Sequence, residues 1–147
     1  MKSRAIASAL TYAGAVPFVA GALLVLTGNV LPLQVDVQLV LRVYSALIVS
    51  FLAGIHWQIG LSEPNSPRHL LMTSNAFALA AWVTVFIEVG AAAWTLFAVL
   101  FAGLLMLDRR LLRRGLLPPW FYRLRFRITM IVVVVLLCTA AISLVDP

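Results

Sequence analysis

Charged side chains are absent from four long stretches of the 147-residue chain: between Arg4 and Asp36, Arg68 and Glu88, Glu88 and Asp108, and Arg127 and Asp146. Each gap holds an apolar helix of roughly 17 to 25 residues, the length that crosses bilayer hydrocarbon. A fifth apolar run, Val37 to Leu61, is broken only by Arg42. The pattern predicts an all-α, multi-pass integral membrane protein, a bundle of five transmembrane helices. Residues 1–147 form a single transmembrane domain, with spans at about 5–26, 37–61, 69–88, 90–108 and 124–145.

Turn chemistry separates the spans. Thr27-Gly28-Asn29 and Pro32 mark the first turn, and Asp36 is placed to cap the second helix by accepting from its free amides. Glu63-Pro64-Asn65-Ser66-Pro67 stops one helix and starts the next, while Glu88-Val89-Gly90 leaves room only for a tight hairpin. Pro17 lies inside the first span, where it removes one helix hydrogen bond and can kink the helix. Lys2 and Arg4 ahead of an apolar run with Ala13 and Ala15 have the look of a secretory signal. The run continues to Leu26, so a retained span is expected.

Composition agrees with the pattern: 63% of residues are hydrophobic and 11% charged, against an apolar share of about half in soluble domains. The charged residues behind the net charge of +6 lie between spans or within the first turns of them. Placing the N-terminus inside puts ten of the eleven Lys and Arg residues on the cytoplasmic side, which predicts an N-in/C-out topology. From Asp108 to Arg127, arginine alternates with Leu, Trp, Phe and Tyr. Such a segment suits the membrane interface, with Arg109, Arg110, Arg113, Arg114, Arg123 and Arg127 on anionic lipid headgroups, each adding on the order of 1 kcal/mol. The bilayer is a nearer source of phosphate than nucleic acid, and no nucleic-acid partner is expected.

Candidate chemistry is sparse. One cysteine, Cys138, excludes an intramolecular disulfide. There is no glycine-rich phosphate loop, no Ser, His and Asp set and no histidine-rich metal motif, so no metal and no cofactor is expected, and the balance leans against an enzyme. A haem held by His56 and His69 would need both rings aimed at one iron. At about 1.5 Å per residue, His56, Asn75, Tyr12 and Thr129 lie at one depth near the cytoplasmic ends of their helices. Trp57, Asp108 and Arg125 lie beside them. Two readings of this layer stay open: polar groups that hold helices together, or a ligand or partner pocket with His56 as its titrating group. On the second helix, Ala46, Ser50 and Gly54 recur every fourth residue and predict a packing stripe against a neighbouring backbone. Ser45, Val49 and Ala53 share a face with His56 and Arg42. Arg42 is expected to snorkel or to meet Glu88.

Tyr12-Ala-Gly-Ala-Val-Pro17-Phe18, Ser50-Phe-Leu-Ala-Gly54 with His56-Trp57, Ser74-Asn75, Asp108, and Pro119-Trp120-Phe121-Tyr122 with Leu124-Arg125 and Thr129 resemble an uncharacterised membrane family. It is the domain of unknown function 3429, which includes the mitochondrial transmembrane protein 69. Ala53 stands where a second glycine is expected, and Phe121 where the family tends to have tyrosine. The resemblance implies this architecture and a cell inner-membrane home, mitochondrial in eukaryotic relatives, and carries no activity. The expected function is non-enzymatic binding or stabilisation of a lipid or membrane-protein partner, a second copy included, through the cytoplasmic-leaflet cluster. The alternative is a small transporter or proton-coupled carrier with His56 as its titrating group.

Overall fold

The computed structural model describes residues 2–27, 36–64, 66–88 and 90–145. They form five helices: α1 (Lys2–Thr27), α2 (Val37–Ser62), α3 (His69–Val85), α4 (Gly90–Arg113) and α5 (Pro119–Val145). Four are long and apolar enough to cross a membrane; α3, with 17 residues, is shorter. The expected first turn, apart from Thr27, lies outside the described residues, as do Asn65 and Val89. Helix α1 runs unbroken through Pro17.

Helix boundaries follow local hydrogen bonding. Asp36 caps α2 as its sequence position predicts: Oδ1 accepts from the amides of Gln38 at 2.8 Å and Leu39 at 3.1 Å. Helix α3 stops at Val85 rather than reaching residue 88, because the Phe86 and Ile87 amides turn back to Val83 and Thr84 in a tighter winding. The boundaries differ most at residues 108–127, which are divided between two helices and a turn rather than forming one polar segment. Helix α4 continues past Asp108 to Arg113, and α5 already begins at Pro119. Gly115, at φ 74°, ends α4. The Leu116 amide bonds to the Leu111 carbonyl and the Gly115 amide to that of Leu112, a paired closure that needs a left-handed residue. Pro119 then opens α5, where its missing N–H costs nothing.

Helix α4 sits at the centre. Trp94, Phe97, Phe101 and Leu104 on it are fully buried, and it packs against α5, α3 and α2. Helix α1 leans on α5 and α2 instead; it meets α4 through Phe18 and Phe101, whose rings cross edge to face at 5.6 Å. Two close approaches use glycine. A Cβ on Gly103 would fall 2.8 Å from the Phe77 ring, and one on Gly60 would fall 2.8 Å from Leu71. Outward positions such as Leu10, Leu47, Phe51, Met72 and Trp82 are apolar and exposed, as lipid contact requires.

The starts of α1, α3 and α5 and the ends of α2 and α4 share one end of the bundle, where the Arg4 guanidinium lies 5.3 Å over the Trp120 ring. Leu70, Leu111 and Leu117 form a small second core there. Seven arginines from α4, α5 and their turn crowd this arginine-rich end, which also holds the candidate site.

Candidate functional site

Three helices deliver one buried ionic chain. His56 of α2 belongs to the face predicted from helical spacing, and Ser45, Val49 and Ala53 on that face are all buried. His56 Nε2 lies 2.7 Å from Asp108 Oδ1. A carboxylate only accepts, so Nε2 carries the hydrogen and donates. Asp108 Oδ2 accepts from Arg125 Nε at 3.1 Å. All three residues are at most 4% exposed. Asp108 is thus satisfied on both oxygens, whereas His56 Nδ1 is buried with no partner.

Arg125 uses only one edge of its guanidinium on Asp108. No described residue accepts from its Nη1 or Nη2, and its side chain borders a chamber of about 360 Å³ between α1, α2 and α5. The chamber is apolar apart from Arg125, Thr129 and Thr11, and Phe18 and Phe101 line it away from the arginine-rich end. Thr129, one turn after Arg125, is 1% exposed and its hydroxyl has no partner. Leu10 and Phe51, both exposed, flank the chamber on the outer faces of α1 and α2. It therefore opens sideways, toward the surroundings of the bundle.

His56, Asp108, Arg125 and Thr129 therefore converge as the depth argument predicts. Tyr12, Trp57 and Asn75 do not join them. Tyr12 is exposed because it sits about 100° around α1 from Thr11, which does face the chamber. On α3 the inward face carries Leu70, Ser74, Ala81 and Thr84, so Ser74 is buried, donating to the Leu71 carbonyl at 2.9 Å, and Asn75 is turned out. Asn75 and Trp57 line instead a shallow groove of about 130 Å³ between α2 and α3, together with Ser50 and Gly54. The packing stripe needs correction for the same reason. Ser50 and Gly54 are exposed, and a Cβ on Gly54 would meet nothing within 4 Å, so none of the described helices closes on it. Ala46 is half-buried at a neighbouring groove with Trp82 and Phe86.

Arg42 donates from Nη1 to the Ile87 carbonyl just beyond α3, not to the exposed Glu88. His69 is exposed at the start of α3, away from the buried His56–Asp108 contact. Among the described residues, no three His, Cys, Asp or Glu side chains gather to hold a metal. Cys138 is exposed on α5. Arg109, Arg110, Arg113, Arg114, Arg123 and Arg127 are all exposed, and Arg109, Arg123 and Arg127 line an open cleft with Tyr122 and Phe126.

Tyr44 escaped the sequence reading. Its hydroxyl crosses from α2 to the Gly14 carbonyl of α1 at 2.9 Å, and its ring packs edge to face on Phe18 at 5.2 Å. The signal was an aromatic hydroxyl in an apolar helix, which in lipid needs an acceptor on a neighbour.

No curated protein and no solved structure matches the chain. The model of a family described as protein of unknown function, DUF3429, matches residues 3–141. Since that match covers nearly the whole chain, the protein, with four helices long and apolar enough to cross a membrane, belongs to the DUF3429 family.

Proposed function

We propose that this is a non-enzymatic inner-membrane protein, N-terminus in and C-terminus out, that binds a membrane lipid in the cytoplasmic leaflet. The observation that carries the reading is the meeting of a buried ionic chain with an apolar chamber that opens sideways. Arg125, which is nearly buried and gives only Nε to Asp108, borders this space, and an acceptor on a bound ligand would satisfy what the protein leaves unpaired there. The chamber volume falls within the range of small-molecule sites, roughly 300–1,000 Å³. The exposed arginines supply a headgroup belt around it. His56 lines none of the chamber and grooves described above, and nothing specific favours the carrier reading.

The test is native mass spectrometry of protein purified in mild detergent. A retained lipid is expected, with its occupancy lost on Ala7→Phe, which fills the chamber from α1. Equal retention by Ala7→Phe, or no retained lipid at all, defeats the reading. The topology is checked with an impermeant thiol reagent on Arg113→Cys in a Cys138→Ala background. Labelling is expected only after the membrane is opened, and labelling of intact cells would invert the orientation.

A further inference from the structure

Of the exposed arginines at one end of the bundle, three share a single cleft. Arg109, near the end of α4, and Arg123 and Arg127 of α5 line an open space of about 440 Å³ whose wall is completed by Tyr122 and Phe126. We propose that this cleft binds one anionic phospholipid whose head carries two phosphate groups. It goes beyond the chamber reading, because none of its lining residues borders the chamber, which α5 walls with Phe121, Arg125, Ile128 and Val132 instead.

The first argument is charge. Among the described residues, ion pairs form only at Asp108, whose oxygens are taken by His56 and Arg125. Arg109, Arg123 and Arg127 are exposed, and no carboxylate among the described residues neutralises them. Like charges gathered in one cleft repel one another and draw an anion. Guanidinium groups meet phosphate oxygens through paired, charge-assisted hydrogen bonds.

The second argument is the placement of those charges. Arg123 and Arg127 are four residues apart and so are neighbours along α5, while Arg109 comes from the adjacent helix, at an axis separation of about 8–10 Å in ordinary packing. A single phosphodiester brings one negative charge and leaves two guanidinium groups unmatched. Two phosphates in one head can meet both helices, one at Arg109 and one at the α5 pair.

The third argument separates a lipid from a soluble phosphate. Deeper along α5, Phe126, Met130, Val134 and Leu137 recur at helical spacing, all apolar and exposed. Met106, three residues before Arg109 on α4, is exposed as well. The α5 track runs roughly 16 Å at ~1.5 Å per residue, a seat for acyl chains that begins at the cleft itself. Tyr122 and Phe126, with ring centroids 6.4 Å apart, stand where phosphates give way to chains, as aromatic residues do at a membrane interface. A soluble anion would use the arginines and leave the track idle.

The test is native mass spectrometry of the full chain in mild detergent, titrated with cardiolipin or with phosphatidylglycerol, which offers the same phosphodiester singly. One cardiolipin per chain is expected to bind saturably, about tenfold tighter than phosphatidylglycerol. Arg109→Gln should weaken it about fivefold, and the double variant Arg123→Gln, Arg127→Gln roughly 20- to 30-fold, at about fivefold per arginine. Arg113 and Arg114 are exposed but line none of this cleft, so Arg113→Gln, Arg114→Gln removes the same charge and should weaken binding by no more than about twofold. Glycerol phosphate at the cardiolipin concentration should not displace the lipid. Equal binding of phosphatidylglycerol overturns the paired phosphates, and displacement by glycerol phosphate overturns the lipid. Equal weakening by the two double variants, or none by Arg109→Gln, overturns the cleft in favour of a diffuse basic surface. Ala7→Phe should leave cardiolipin bound. Loss of cardiolipin in that variant assigns it to the chamber and overturns the cleft, whereas a chamber lipid that survives Ala7→Phe defeats the chamber reading alone.

Discussion

Asp108→Leu tests whether the ionic chain holds α2, α4 and α5 together. The substitution removes the acceptor for Arg125 Nε at 3.1 Å and for His56 Nε2 at 2.7 Å, inside a site where every partner is buried. Stranding a buried charge costs about 3–5 kcal/mol, and stranding a buried neutral donor costs about 1–3 kcal/mol. The expected loss is therefore about 4–8 kcal/mol, large beside the roughly 5–15 kcal/mol that holds a typical domain. Asp108→Asn should lose less, because its carbonyl can face Arg125 while its amide faces His56 in the other tautomer. The decisive variant is the double substitution Asp108→Leu, Arg125→Met. It removes the stranded charge and leaves only His56 unpaired, so it should recover about 3–5 kcal/mol relative to Asp108→Leu. Unfolding in mixed micelles of rising SDS content, followed by helical circular dichroism, measures all three. A double variant no more stable than Asp108→Leu would refute the account, as would a single variant with wild-type resistance.

Two further substitutions probe the packing by the same assay. Gly103→Ala should destabilise by about 1–3 kcal/mol through overpacking against Phe77, whereas Gly54→Ala, with nothing within 4 Å of the new methyl, should be neutral or slightly stabilising; equal effects would contradict the packing described. Arg42→Met should cost about 1.5–3 kcal/mol by uncapping the Ile87 carbonyl, and Glu88→Gln should cost nothing, an order that reverses if Arg42 relied on the carboxylate.

The helices were legible because hydrocarbon excludes charge, so gaps between charged residues had to be spans. Their ends were less so. The stop at Gly115 and the start at Pro119 carry recognisable signals, but the arginines around them read as one interfacial stretch when taken by composition. The site shows a similar division. Height along a helix follows from rise per residue, and His56, Asp108, Arg125 and Thr129 do meet at one level. Azimuth is different. Helices α1 and α3 are apolar nearly all round, so amphipathicity does not mark their inward face. Rise per residue therefore gives Tyr12 and Asn75 their height but not their side, and spacing alone likewise leaves open which way Ser50 and Gly54 face. Helix α2 gave a correct face because His56 itself had to be inside.

An ion pair in an apolar core is weak evidence for stability, since a well-packed apolar pair is often as good or better. Asp108 and Arg125 therefore call for a reason beyond holding helices. The two ends of the chain differ in a way that supplies one. Asp108 is saturated by its neighbours, while Arg125 gives it only Nε and borders a space that no side chain of the described residues fills. On the lipid-binding reading the aspartate fixes the arginine's position and neutralises its charge, and the arginine presents donors at a depth where free water is scarce.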